Sequence, residues 1–174
     1  VERCMPTLIR TIQSEDAEAL TALFDAIDRE TKYLLFEPGE RTRGPAEWRA
    51  RIDEIRAGSP DEIFVAADKD THALVGMLVA LGDTRQRLRH SASLVVAVRG
   101  AYTGQGIAKR LFAALEAWAR GRGLHRLYLQ VQANNHRAVA LYHKLGFTVE
   151  GFHRHAVRLD GEWVDDYTMA KLLE

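Results

Sequence analysis

The sequence predicts a mixed α/β (α+β) fold: a mostly antiparallel sheet with one central parallel βαβ step and helices on both faces, in a single domain spanning 1–174. Three observations carry this. Short apolar stretches come in pairs, Ile63 to Ala67 with Leu74 to Leu81 and Thr148 to Leu159 with Trp163 to Leu172, as antiparallel strands do. In the middle, a helix with Ile107, Leu111, Leu115 and Trp118 on one stripe separates two strands, which a crossover makes parallel. The chain's 174 residues suffice for one substantial core, and nothing in them demands a second.

In order, Thr7 to Gln13 alternates around Leu8, Arg10 and Ile12, then Ser14 and three acids lead into a helix with Leu20, Leu23, Phe24 and Ile27. The stretch Glu37 to Pro45 has the Pro and Gly of a loop, and Pro45 suits the first turn of a helix bearing Trp48, Ile52 and Ile55. Ile63 to Ala67 and Leu74 to Leu81 read as a hairpin, followed by a third strand over Leu88 to Val98. After the central helix, closed by Gly121 and Gly123, comes a strand with Leu127, Leu129 and Val131. Asn134 or Asn135 caps the last helix, and Gly146 ends it. Thr148–Leu159 and Trp163–Leu172 turn around Asp160-Gly161.

Composition narrows the partners. Twenty-four basic residues balance twenty-four acidic ones, so no net field gathers nucleic acid or a membrane surface, and a charged ligand must be held by local groups. Cys4 is the single cysteine and cannot form an internal disulfide, which suits a reducing compartment; cytoplasm is the expected location. Val1 to Pro6 carry no apolar signal core, and Ala73 to Leu81 is too short to span a bilayer.

Two motifs carry chemistry. The first, Val96-Ala97-Val98-Arg99-Gly100-Ala101-Tyr102-Thr103-Gly104-Gln105-Gly106-Ile107-Ala108, runs from a buried strand into a helix. Free N–H groups and the dipole at a helix N-terminus favour an anion, and glycine lets phosphate oxygens approach the backbone. A Walker loop is excluded, because Gly106 is followed by Ile107-Ala108-Lys109 rather than Gly-Lys-Ser or Gly-Lys-Thr. A dinucleotide fingerprint finds Lys109 at its third glycine position. A plain connecting turn remains the alternative at this point. In the second motif, Asn135 to Phe147, Asn135, Ala138 and Tyr142 share one helical stripe, which by itself also fits an ordinary capped helix.

Together the two stretches resemble the GNAT acetyltransferase superfamily, whose motifs read Gln/Arg-x-x-Gly-x-Gly/Ala and Asn-x-x-Ala-x-x-Leu-Tyr-x-x-x-Gly-Phe. The second is matched in full; in the first, Gly106 and Ala108 match while Thr103 stands where the family has Gln or Arg. The resemblance implies a sheet splayed between its two central strands, with acetyl-coenzyme A in the gap. Backbone groups of Val96 and Val98 would bond its pantetheine arm, the turn Thr103, Gly104, Gln105, Gly106, Ile107 and Ala108 would hold its pyrophosphate, and Asn135 would contact it near the pantetheine. The partners implied are acetyl-coenzyme A and an amine acceptor, with a homodimer as an open possibility; the end of the chain is similar to that of bacterial members acting on amino acids or other small amines.

The reaction expected is direct attack of a primary amine on the thioester. A phenol of pKa ~10 keeps its proton near neutrality and can pass it to a thiolate whose thiol has a pKa of ~8.5, so Tyr142 is the expected general acid. His90 shares a strand face with Leu94, Val96 and Val98 by period two and is the candidate base, against the alternative of a histidine bonded on the sheet surface. The N–H of Val98 or a neighbour is the candidate for polarising the carbonyl. Glu37 and Arg41, in a segment that resembles the family's acceptor-side loop, are candidates for an acceptor's amine and carboxylate, against the alternative of a plain polar loop. His153 and His155, expected on one strand face, lack partners for a metal site, so no metal is expected. A non-catalytic acyl-coenzyme A sensor is the alternative function.

Overall fold

The computed structural model describes residues 6–174; Cys4 lies outside them. Strand β1 (Thr7–Thr11) passes through a 3₁₀ turn at Ser14–Asp16 into helix α1 (Ala17–Glu30). Asp16 fixes that entry by accepting the Gln13 N–H at 2.8 Å while Arg10 grips it at 2.6 and 2.8 Å. Helix α2 (Pro45–Arg56) starts on its proline and lays Trp48 on Phe24 of α1, their rings stacked at 5.2 Å. These two helices bury Leu20, Leu23, Ile27, Ile52 and Ile55 against Ile63, Val65 and Met77 on one face of the sheet.

The sheet has seven strands in the order β1-β2-β3-β4-β5-β7-β6, with β2 (Glu62–Asp68), β3 (Leu74–Leu81), β4 (Ser91–Val98), β5 (Arg126–Gln132), β6 (Thr148–Leu159) and β7 (Glu162–Leu172). Every pairing is antiparallel except β4 with β5. Helices α3 (Ile107–Gly121) and α4 (His136–Lys144) cover the other face, where Leu111, Phe112, Leu115 and Tyr142 pack on Phe64, Leu78, Leu94, Leu129 and Met169. Helices thus lie on both faces. Among the described residues no helix is long and apolar enough to cross a membrane.

Two details differ from the sequence expectation. The third strand begins at Ser91, not Leu88, because Asp83 accepts the Arg85 N–H at 2.8 Å and the N–H groups of Leu88 and Arg89 both return to the Arg85 carbonyl at 2.9 Å. A local carboxylate cap overrides the alternation of Arg85, Arg87 and Arg89 there. Pairing of β6 with β7 shifts between His153 and Val157, and His155 takes a φ of 54°. This bulge uncouples the two histidines: His153 meets Thr168 Oγ1 at 2.7 Å, while His155 stacks on Trp163 at 5.5 Å. Among the described residues no group of three or more His, Cys, Asp or Glu is arranged to hold a metal ion.

The feature that positions the site is the short parallel contact. β4 and β5 pair only where Ser91, Ala92 and Ser93 face Arg126, Leu127 and Tyr128. The contact starts at the His90 carbonyl, which accepts from the N–H groups of both His125 and Arg126 at 2.8 and 3.0 Å. Beyond Ser93 the strands part.

Candidate active site

The parted strands leave one side of β4 open. The Arg99 N–H bonds the Val75 carbonyl at 2.9 Å, with Val98 opposite Gly76 in the same register. In an antiparallel ladder successive residues point their backbone groups to opposite sides. Arg99, Ala97 and Val95 therefore face β3, and Val98 and Val96 turn their N–H and C=O groups into the gap. On the far wall, the Ala133 N–H bonds the Asp165 carbonyl at 2.8 Å, so by the same alternation Gln130 and Gln132 point their backbone groups towards β4.

At the open end of β4 the chain makes a 3₁₀ turn at Gly100–Tyr102, clamped by Glu30 of α1. That carboxylate accepts from the Arg99 guanidinium at 2.9 and 2.7 Å and from the Gly100 N–H at 2.8 Å. Gly104 and Gly106 then adopt φ values of 82° and 75°, a left-handed conformation that lets the chain enter α3, with Gly106 as its N-cap. A Cβ placed on either glycine would meet no atom within 4 Å, so the turn's outer side is bare backbone. The N–H groups of Gly104, Gly106, Ile107 and Ala108 donate to nothing among the described residues. Free donors at a helix N-terminus with no side chain in front of them suit an anion.

Thr103 departs from the expectation. Its N–H and its hydroxyl both donate to the Gly100 carbonyl, at 3.2 and 2.8 Å, so it builds the turn rather than facing an anion. The Gln105 side chain likewise reaches back to the Ala101 carbonyl at 3.4 Å.

Asn135 caps α4, its Oδ1 accepting the Ala138 N–H at 3.2 Å. Two turns on, Tyr142 is 7% exposed, its ring 5.9 Å from Phe112 and 6.1 Å from Phe147. Its hydroxyl has no hydrogen-bond partner among the described residues. Burial pushes the phenol up from 10.0 to about 12, so it holds its proton at any physiological pH. Because the folded value lies above the unfolded one, the stabilisation from this group is complete below pH 10 and is lost as pH rises through about 12. Absorbance titration should therefore show one phenolate forming near pH 12 that is missing in Tyr142→Phe, and the wild type should lose stability relative to the variant across that window.

A family model described as the acetyltransferase (GNAT) family matches residues 21–147, which takes in both motifs and most of the sheet. The chain belongs to the GNAT family. It is an N-acetyltransferase of the family that draws its acetyl group from acetyl-coenzyme A and passes it to an amine. It is 30% identical over 129 residues to the L-amino acid N-acetyltransferase AaaT of Escherichia coli, covering 72% of this chain and 75% of that one. To the N-alpha-acetyltransferase RimI of Mycobacterium tuberculosis it is 41% identical over 76 residues, covering 44% of this chain and 45% of that one; the match thus spans less than half of that relative's length. The crystal structure of a GNAT acetyltransferase from Streptococcus pneumoniae superposes with a TM-score of 0.90 at 27% identity, covering 97% of this chain and all of that one.

Seen in the GNAT frame, the remaining candidate residues separate. His90 is exposed and lies before β4, at the closed end of the parallel contact. Six to eight residues of strand, about 20–26 Å, separate it from Val96 and Val98. Period two fixes the face of a strand but not how far along it a residue lies. Arg41 bonds the buried carboxylate of Asp28 at 2.5 and 3.0 Å and lies 4.2 Å from the ring centres of Phe24 and Phe36. Its carboxylate partner is internal, and it pins the 31–44 loop to α1. Glu37 is exposed in that loop, its N–H donating to Glu40 at 2.8 Å.

Two polar residues that the sequence did not single out stand beside the gap. Gln132 at the end of β5 and Asp166 on β7 are 4% and 6% exposed and face each other in register. The available signal was weak: a Gln closing an otherwise apolar strand, and a second acid in Asp165-Asp166.

Proposed function

We propose that the chain binds acetyl-coenzyme A with its pyrophosphate on the Gly104–Ala108 turn and its pantetheine arm along the free edge of β4 at Val96 and Val98. The amine lone pair attacks the thioester carbon, whose developing oxyanion takes a hydrogen bond from the Val98 N–H or a neighbouring one. The carbon–sulfur bond then breaks, the thiolate takes the proton of the Tyr142 hydroxyl, and the nitrogen releases its own proton to restore the phenol. An N-acetyl amine and free coenzyme A result. The acceptor is a free amino acid or another small amine, a reading supported by the names of the AaaT and RimI relatives, one acting on L-amino acids and one on an α-amine. Asn135 remains a cofactor contact through its amide nitrogen, since its oxygen is used as the cap.

The observation that carries this reading is the pairing of an open β4 edge with a buried phenol that holds its proton. The test is amine-dependent release of free thiol from acetyl-coenzyme A across amino acids, polyamines and peptides; binding without turnover on any amine would leave an acyl-coenzyme A sensor instead. In Gly106→Val the side chain would occupy the bare side of the turn and strain a φ of 75°. KM for acetyl-coenzyme A is expected to rise at least about tenfold, equivalent to ~1.4 kcal/mol, and an unchanged KM would place the pyrophosphate elsewhere.

A further inference from the structure

Gln132 and Asp166 face away from α3 and α4, since their strand neighbours Leu129, Val131 and Met169 fill the core on that side. They are cross-strand partners in a non-hydrogen-bonded pair, the closer of the two antiparallel kinds. Each carries a buried oxygen with no hydrogen-bond partner, Oε1 of Gln132 and Oδ1 of Asp166. These are the side-chain atoms so stranded among the described residues.

The orientation of the Gln132 amide is fixed, because its Nε2 donates to the Lys32 carbonyl at 2.9 Å and only a nitrogen can do so. Oε1 is therefore the end turned to its surroundings as an acceptor. Lys32 does not neutralise Asp166 either, for its ammonium is bonded to Asp160 at the β6–β7 turn. Burial is the main cause that holds the Asp166 carboxyl above its usual range; His153, opposite it on β6, offsets this only in part, and Asp165 adds to it.

Two adjacent buried acceptors with no donor between them call for a ligand that brings at least two N–H or O–H groups and, beside a carboxylate, a positive charge. An anion or a carbonyl compound supplies neither. The place matters as well: Gln132 ends β5 at the mouth of the gap, under the loop that holds Lys32, and that loop continues into the exposed Tyr33, Leu35 and Phe36.

We propose that Gln132 Oε1 and Asp166 Oδ1 form the subsite that receives the acceptor's primary ammonium group, two of its N–H bonds going to these oxygens and its third proton passing to solvent before the freed lone pair attacks. The loop side chains then take the acceptor's apolar body. This rests on the acetyl transfer proposed above and adds which residues select the amine.

The experiment uses the full chain at saturating acetyl-coenzyme A with n-butylamine, spermidine and L-alanine as acceptors, comparing wild type, Asp166→Asn and Gln132→Met. For whichever acceptor reacts, KM for the amine is expected to rise about ten- to a hundredfold in Asp166→Asn, the range for losing a charged hydrogen-bond partner. KM for acetyl-coenzyme A should stay the same, and so should kcat. The unfolding midpoint of Asp166→Asn should be equal to or above that of wild type, because a buried charge without a partner has been removed; a structural role would lower it. Gln132→Met should shift amine KM in the same direction by less. An unchanged amine KM in both variants, as when the pair holds water only, overturns this subsite while leaving acetyl transfer intact. Wild type inert towards every amine overturns both readings together.

Discussion

Replacing Tyr142 by Phe is expected to lower kcat by roughly 10²- to 10⁴-fold, the range for one general acid, with KM for acetyl-coenzyme A unchanged. The ring packs between Phe112 and Phe147 whether or not it carries oxygen, so the variant keeps its core. What it loses is a proton held at about 12 beside a leaving thiolate that needs one. The hydroxyl has no partner among the described residues, so no other bond is disturbed and the stability change should be small. Single-turnover measurement isolates the chemical step. Rates within threefold of wild type would show that water protonates the thiolate and that Tyr142 is only a packing residue.

Phe112→Ala is expected to cost about 4 kcal/mol of stability, within the range for emptying a fully buried aromatic site. Phe112 is fully buried and makes edge-on contacts with Tyr142 at 5.9 Å and Phe147 at 5.6 Å. It lies where α3, α4 and the sheet meet, and the cavity would open behind the phenol. Urea unfolding should show the loss as a lower midpoint with an unchanged slope. Activity should also fall below saturation of both substrates, because the wall that aims Tyr142 is gone. A cost under 1 kcal/mol would mean that the surrounding rings collapse into the space, and the tight core argued here would be wrong.

The sequence of strands and helices along the chain, and helices on both faces of a mostly antiparallel sheet, were legible because the relevant stripes repeat cleanly: Leu20, Leu23 and Ile27 in α1, Ile107, Leu111 and Leu115 in α3. Tyr142 and the glycine turn were legible because their motifs are local, a few residues apart on one helix or one turn. The position of His90 before β4, rather than within it, was not legible because alternation says nothing of where a strand starts, and because Asp83 holds the preceding segment in a turn. Thr103 looked like a ligand by alignment with a motif, but a hydroxyl two atoms from its own backbone finds the Gly100 carbonyl first. The role of Arg41 in tying its loop to α1 was not legible, because nothing in that loop announces Asp28, thirteen residues back on a helix. Gln132 and Asp166 come together only through the pairing of β5 with β7, a contact across 34 positions that no local pattern encodes.

The brevity of the β4–β5 contact has a further consequence. A free strand edge usually lies at the rim of a sheet, where it invites another chain to pair and must be defended by charge or bulges. Here the free edge is interior, at Val96 and Val98, with β5 standing opposite as a fence. A second protein strand would have to displace that wall, whereas a thin linear arm with alternating amide groups need not. In the binding mode proposed above, the gap in the ladder would act as a filter on molecular width, admitting a strand mimic and refusing a strand.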